Sequence, residues 1–295
     1  MSRRKASLAP GRRFCSDDSR EHGESLAATA SRVDHWILIE YHGAWERDAV
    51  DSSGLTTDVK AHLVRRAFAL RPAKVLFIRR RERRASDGIH VYWASSRERR
   101  TTLSATIVDA YTDLLGLYFD EPGEAPGHPL LLACTHGKHD ACCARYGLPL
   151  YEAMRELVDE GWVWQCSHVG GDRFAGNLVC LPEGAYYGRV RAGDARAVLD
   201  EHLAGRVHLG FYRGRSSYSF PVQAAERAVR EASGMLGLAD LELRSTSPIR
   251  FRAGATEYEV EVVRHQGDFA HLTCDAAVLS RPWRYAARIL RESDA

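Results

Sequence analysis

Two short apolar runs, each ending in cysteine, constrain this chain more than any other feature: "LLLAC" at 130–134 and "WVWQC" at 162–166. Each has the length of a buried strand. Between them, "PLYEAMRELVDEG" (149–161) reads as a helix, with Pro149 in its first turn and Gly161 where the chain should leave it. Leu150, Ala153, Met154, Leu157 and Val158 make one apolar stripe along it. If the two strands are neighbours in one sheet, the loops that follow them emerge at the same edge. Those loops are "CTHGKHDACC" (134–143) and "CSHVGGDRFAGN" (166–177), so the pattern predicts that their side chains converge.

The rest of the chain alternates strands and helices. "DHWILIEY" (34–41), "AKVLFIRR" (73–80) and "IHVYWAS" (89–95) read as strands, and "VKAHLVRRAFAL" (59–70) has Leu63, Ala67 and Leu70 near helical spacing. "DEPGEAPGHP" (120–129) is linker-like. After it come strands "NLVCLP" (177–182) and "AYYGRV" (185–190), then helices over 194–204 (Asp194 as cap, Gly205 as stop) and 221–236 (Pro221 near the start). "LELRS" and "TEYEVEVVRH" (256–265) alternate like exposed-edge strands. No internal repeat is evident. The expected class is α/β (α+β), and the order from 130 to about 204 is that of a thioredoxin-like layer. The predicted organisation is a disordered leader (1–14), an N-terminal α+β portion (15–124), a thioredoxin-like domain (125–240), and C-terminal strands with a tail (241–295).

A net charge of +2 over 295 residues argues against a dedicated nucleic-acid binder. No apolar stretch approaches the roughly 18–20 residues that span a bilayer. The basic N-terminus lacks the apolar core of a signal peptide. The expectation is therefore a cytoplasmic protein with neither nucleic-acid nor membrane partners, whose seven cysteines are thiols or ligands and not disulfides. There is no G-x-S-x-G elbow and no P-loop. The carboxylates of 152–160, at helical spacing beside arginines, read as a solvated face. The arginine runs "RRRERR" (79–84) and "RERR" (97–100) read as solvated loop ends, or as a basic patch for an acidic partner. "RGRSSYSFPVQAAE" (213–226) is expected either to pack on the site or to bind an anion.

The two loops hold the chemistry. Cys134, His136, His139, Asp140, Cys142 and Cys143 lie in the first, and Cys166, His168 and Asp172 in the second. Thiols with imidazole suit Zn²⁺ or an iron–sulfur cluster. Eight residues separate Cys134 from Cys143, too many for a zinc knuckle, whereas a long loop can wrap a larger cluster. Gly137, Gly170 and Gly171 are placed to let backbone N–H groups approach bridging sulfides. Cys180 and Cys274 read as buried apolar cysteines. Cys15, in a polar leader, is expected to have no role.

"CTHGKHDACCARYGLP" followed by "VWQCSHVGGDRFAGNLVCLPEGAYYGRV" resembles the sucrase/ferredoxin-like proteins, thioredoxin-like [2Fe–2S] ferredoxins. The stretches "FCSDDSREHGESLAATASRVDHWILIEYHGAW" and "GRSSYSFPVQAAE" extend the resemblance across most of 14–236. It implies a [2Fe–2S] cluster held by two cysteines of the first loop and by residues of an H-x-G-G-H-R-F-A-x-N motif. Cys134 and Cys143 match the cysteines, His168 the first histidine, and Arg173 and Asn177 later motif positions. The second histidine is Asp172 here. A carboxylate is a hard ligand for an iron–sulfide core, so Cys166 is the preferred fourth ligand. Asp172 is either the alternative ligand or the acceptor of the other ring N–H of His168, with Arg173 holding Asp172 or the cluster's charge. Imidazole in place of thiolate raises the potential, and a ligating histidine can couple electron transfer to a proton.

The resemblance thus implies an electron carrier with a protein redox partner, in preference to an enzyme with its own turnover. Two rivals use the same residues. One is a thiol–disulfide or peroxide-responsive enzyme on Cys142 and Cys143, although no C-x-x-C at a helix start is present to lower a thiol pKa. The other is a structural zinc protein. A third, cofactor-free reading is an interaction protein acting through its arginine runs.

Overall fold

The computed structural model describes residues 13–81, 88–98 and 100–294. The expected disorder of the leader up to residue 12 and most of the arginine run after Arg81 lie outside the described residues. Helix α1 (Cys15–Glu21) precedes β1 (His35–Glu40), α2 (Thr57–Ala69), β2 (Ala73–Arg79), β3 (Ile89–Arg97) and β4 (Arg100–Val108). Then follow β5 (Leu130–Cys134), α3 (Ala141–Arg155), β6 (Val163–Cys166), β7 (Leu178–Leu181), β8 (Ala185–Tyr187), α4 (Ala195–Leu203), β9 (Tyr212–Arg215) and α5 (Phe220–Ser233). The chain ends in β10 (Leu241–Thr246), β11 (Ile249–Ala253), β12 (Thr256–Gln266) and β13 (Trp283–Asp294). Among the described residues no helix is long and apolar enough to cross a membrane.

Nine strands form one sheet in the order β4-β3-β1-β2-β6-β5-β7-β8-β9. β5 and β6 pair in parallel, β7 runs antiparallel to β5, and β8 antiparallel to β7. This is the expected thioredoxin-like order, and the α/β class holds. The same arrangement occurs upstream: β1 and β2 are parallel across α2, β3 is antiparallel to β1, and β4 to β3. Two copies of one topology thus share a sheet although no repeat is legible in the residues. They join antiparallel through β2 and β6, with only Ile78↔Cys166 and Arg79↔Gln165 in register. Those residues are the C-terminal ends of both strands. The loops following the parallel strands of the two halves therefore meet at the joint.

Burial explains the apolar runs. All five residues of β5 and all four of β6 are buried, because both faces of these strands are covered. On one face, Leu131 and Ala133 pack with Leu150, Tyr151 and Met154 of α3 and with Val198 and Leu199 of α4. On the other, Leu130, Leu132 and Cys134 pack with Trp36, Leu38, Ile78 and Tyr186. Trp36 on β1 and Tyr186 on β8 stand five places apart in the strand order, roughly 24 Å in a flat sheet. Their ring centroids are 6.0 Å apart, so the sheet curls around this shared core. A second sheet, β10-β11-β12-β13, covers α5 through Phe251, Tyr258 and Val260 against Val222, Ala225 and Val229.

Four sequence expectations need correction. Helix α3 starts at Ala141, eight residues before Pro149, which lies inside the helix. The signal overlooked is Asp140, whose side chain accepts from the Cys142 N–H as an N-cap. Strand β4 is not among the expected strands, although Leu103, Ala105 and Ile107 alternate along it and the first two pack against the shared core. "TEYEVEVVRH" is not an edge: β12 pairs with β11 and β13. Cys15 opens α1 and is 1% exposed, so it does not sit in a solvated leader. Cys180 and Cys274 are buried, as expected.

Gly147, within α3, lies against the C-terminal end of β5. A Cβ there would run into the carbonyl oxygen of Cys134 and would lie 3.4 Å from the Cα of Thr135. Gly147→Ala gains at most about 1 kcal/mol of helix propensity. Overpacking against a main chain that cannot rotate away costs on the order of 1–3 kcal/mol or more. The expected result is a lower unfolding midpoint in urea, and an unchanged or higher midpoint would contradict this packing.

In the first half, the buried Glu40 accepts from the His90 ring (2.6 Å), the His90 N–H (3.1 Å) and the His42 ring (2.8 Å). Burial alone would raise its pKa, but these hydrogen bonds outweigh it and hold the carboxyl at about 2, against an ordinary 4.5. A carboxyl with a depressed folded pKa stabilises the fold above the unfolded value. That contribution, about 3 kcal/mol at most, is lost as pH falls from 4.5 toward 2. Glu40→Gln should flatten the acid limb of a stability–pH profile, whereas an unaltered limb would mean that Glu40 does not drive it.

Candidate metal centre

The C-terminal ends of β5 and β6 bring the two cysteine loops together, as their parallel pairing requires. Ligand atoms of Cys134, Cys143 and His168 all lie within 4.8 Å of one another. Cys134 is the last residue of β5, and Cys143 lies in the first turn of α3. The Cys143 Sγ is 3.9 Å from His168 Nδ1 and 3.3 Å from Asp172 Oδ1, and these two side chains are 3.1 Å apart. Cys134, Cys143 and Asp172 are buried, and His168 is partly so. Cys166 is the Cα partner of Cys134 across β5–β6 and shares its face, but it falls outside the three-ligand group.

The electrostatics suit thiolate. Hydrogen bonding from the facing Cys143 and Cys166 thiols, and then His168, holds the Cys134 thiol well below its ordinary value. Cys143 is pushed up chiefly by Cys134, and Cys166 by burial and then by Cys134. Burial opposes charge on His168, but the Asp172 carboxylate and Cys134 outweigh it and lift His168 to about 9. The site thus favours a thiolate beside an imidazolium before any metal enters. Lys74 on β2, its ammonium pushed down by burial, adds positive charge toward Cys134 and Cys166.

The other motif residues shape the loop. Gly170 (φ 102°) and Gly171 (φ 82°) adopt a backbone that L side chains rarely take. A Cβ on Gly170 would meet the Ser31 hydroxyl, and one on Gly171 the Arg213 guanidinium. Arg213, fully buried, donates to the Gly170 carbonyl (3.0 Å), Asn177 Oδ1 (2.7 Å) and Thr29 Oγ1 (3.0 Å). Asn177 Nδ2 donates to the Gly171 carbonyl at 2.9 Å, closing the loop. The 213–226 segment therefore packs behind the site. Gly137 lies against α3, where a Cβ would come 2.7 Å from that of Ala144. Arg173 reaches Glu24 at 2.6 Å, and Arg284 pairs with the same carboxylate.

Two histidines of the first loop are held by the other half of the chain. His136 Nδ1 accepts from the His168 N–H (3.3 Å), leaving its Nε2 to donate to the Glu46 carbonyl (2.7 Å). Burial lowers its pKa, which suits this neutral tautomer. His139 Nδ1 bonds the Arg47 carbonyl at 3.2 Å, its ring stacks on His168 with centroids 3.7 Å apart, and its Nε2 is 4.0 Å from Asp172 Oδ2. The role of His139 is not legible in the sequence, because nothing local says that residues 46–47 would fold over it. The described part of the first arginine run is partnered: Arg79 stacks on Trp45 and Arg80 on Trp164, and Arg81 pairs with Glu152.

Over 98 residues the chain is 31% identical to altered inheritance of mitochondria protein 32 from Debaryomyces hansenii (30% of this chain, 36% of that one). It is 35% identical to the Meyerozyma guilliermondii protein of the same name over 98 residues (29% and 34%). The chain thus spans about a third of the length of these relatives. Among solved structures, the thioredoxin-like [2Fe–2S] ferredoxin from Aquifex aeolicus is similar at 17% identity and a TM-score of 0.27, covering 30% of this chain and 92% of that one. A cysteine-to-serine variant of it is similar at 15% identity and a TM-score of 0.27 (28% and 96%). Residues 26–214, which include both strands, both loops and every residue of the centre, match the sucrase/ferredoxin-like family, and the chain belongs to it.

Proposed function

We propose that this centre holds one [2Fe–2S] cluster and that the protein carries single electrons to or from a protein partner. The observation that carries the reading is the meeting of two buried thiols and one imidazole within 4.8 Å, from the two loops of a thioredoxin-like layer. The donor set fits the group: thiolate and imidazole are the usual ligands of such clusters. When bound, the cluster supplies one-electron redox chemistry.

The chain's own residues have distinct tasks. Cys134 and Cys143 supply thiolates and His168 an imidazole. For the fourth position we favour Asp172 over Cys166, because its carboxylate touches both Cys143 and His168 whereas Cys166 faces Cys134 alone. His136 fixes the His168 main chain, and Arg213 with Asn177 holds the second loop in register. Burial of both thiols keeps water from them. Replacing a thiolate by imidazole lowers the negative charge at the centre and raises its potential, and Lys74 acts in the same direction.

The test is the iron and acid-labile sulfide content of protein purified without air, with electron paramagnetic resonance after reduction. About two irons and two sulfides per chain with a reduced-state signal is the expected result. Zinc at these residues without iron, or metal-free thiols that oxidise reversibly, would overturn the proposal.

A further inference from the structure

Cys142 and Cys143 are adjacent in sequence but serve different sites. Cys143 faces His168 and Asp172, whereas Cys142 Sγ lies 3.6 Å from Cys15 Sγ and 3.2 Å from Cys274 Sγ. The third edge, Cys274 to Cys15, is 3.6 Å. A carboxylate completes the group, since ligand atoms of Cys15, Asp140, Cys142 and Cys274 all lie within 4.8 Å of one another. All four are buried, at 1%, 1%, 0% and 1% exposure.

The geometry points to a second metal site: Cys15, Cys142 and Cys274, completed by Asp140, bind a thiophilic divalent ion, Zn²⁺. It is separate from the cluster centre and independent of the function proposed above. Three arguments support it. First, a tetrahedral zinc with bonds of about 2.3 Å has sulfur–sulfur edges of about 3.8 Å, close to the observed triangle, while a disulfide needs about 2.05 Å.

Second, single buried cysteines are common as small apolar fillers. Here, however, three meet from segments 127 and 132 residues apart, around a buried carboxylate. Buried carboxylates are paired or bind metals. Third, the main chain around the sulfurs is arranged for ligands. Cys142 occupies the first turn of α3, where the helix N-terminus favours negative charge. The Ser16 N–H points at Cys142 Sγ at 3.4 Å. Asp140 accepts from the N–H groups of Cys142 (2.7 Å) and Cys274 (2.6 Å), so the carboxylate orients the main chain of two ligands.

Zinc binding would replace the three thiol protons, which pass to solvent. The ion would tie the N-terminal helix and the segment between β12 and β13 to the first turn of α3. That turn also carries Cys143, so the clasp would hold the cluster ligand in place.

The test is metal analysis of the full chain purified without air. The wild type should hold about one zinc per chain. Cys134→Ser/Cys143→Ser should keep it, which separates this site from the cluster centre. Cys15→Ser/Cys274→Ser should lose it. Should that variant fail to fold, as judged by far-ultraviolet circular dichroism, Cys274→His retains a zinc ligand and should retain the metal. Cobalt substituted into the zinc-depleted chain should give sulfur-to-cobalt charge-transfer bands, altered in Cys274→His. Absence of both zinc and cobalt–thiolate bands in the wild type, zinc unchanged in Cys15→Ser/Cys274→Ser, or a disulfide among the three after anaerobic alkylation would each overturn the proposal.

Discussion

Cys143→Ala is expected to abolish cluster binding, lowering iron from about two per chain to near zero. The residue is wholly buried at the start of α3, with its sulfur facing both His168 and Asp172. Alanine removes a thiol that faces Cys134, His168 and Asp172 at once. Water does not substitute well there, because α3 and the second loop close over the position. The variant should still fold, since the change trades a small buried side chain for a smaller one. A companion pair addresses the fourth ligand. Asp172→Ala should lose most of the iron and Cys166→Ala should keep it. The opposite pattern would return the ligand to Cys166, and iron retained in Cys143→Ala would remove the cluster from this site altogether.

Glu226→Ala should lose about 3–5 kcal/mol of stability, a large share of the roughly 5–15 kcal/mol that a folded domain has. Glu226 and Arg230 form an ion pair at 3.0 Å with side chains 1% and 0% exposed. The Tyr212 hydroxyl donates to Glu226 at 3.1 Å, and Arg215 stands 3.9 Å away. Removing the carboxylate leaves two buried guanidinium groups without their counter-charge, which water cannot restore. Arg230 also donates to the carbonyls of Met235 (3.1 Å) and Gly237 (2.9 Å), fixing the exit of α5. Replacing both partners with apolar residues, as in Glu226→Leu/Arg230→Met, should cost less than the single change because only Arg215, and no longer Arg230, is left without the carboxylate. Urea denaturation of the three proteins decides it. A single variant no less stable than the double one would contradict the argument.

How much of this was legible in the sequence depends on the reach of each signal. The strands at 130–134 and 162–166 were readable because an unbroken apolar run leaves few alternatives. The convergence of the two loops followed from their being neighbours. Helix α3 was readable from Leu150 to Met154 but at neither end: it stops at Arg155, before Leu157, Val158 and Gly161, and its cap at Asp140 lies among residues that equally resemble metal ligands. The roles of Asn177 and Arg213 were only half visible: the motif marked the first, while the contact between them joins residues 36 apart. Cys15 was misread because a cysteine among charged residues gives no local sign of what will cover it.

By itself, the order of residues determined the α/β class, the thioredoxin-like layer from 130 onward and the meeting of Cys134, Cys143 and His168, since periodicity and strand adjacency act over tens of residues. Only the tertiary structure decided the rest. It shows that the first half repeats the topology of the second, that residues 46–47 hold His136 and His139, that Asp172 touches Cys143 and His168 while Cys166 faces Cys134, and that Cys15, Cys142 and Cys274 share one pocket. The contacts of residues 46–47 and of the three-cysteine pocket join segments about 90 to 260 residues apart, across a sheet whose curl follows from its twist and from filling a common core. Neither influence leaves a mark in any short stretch of the chain.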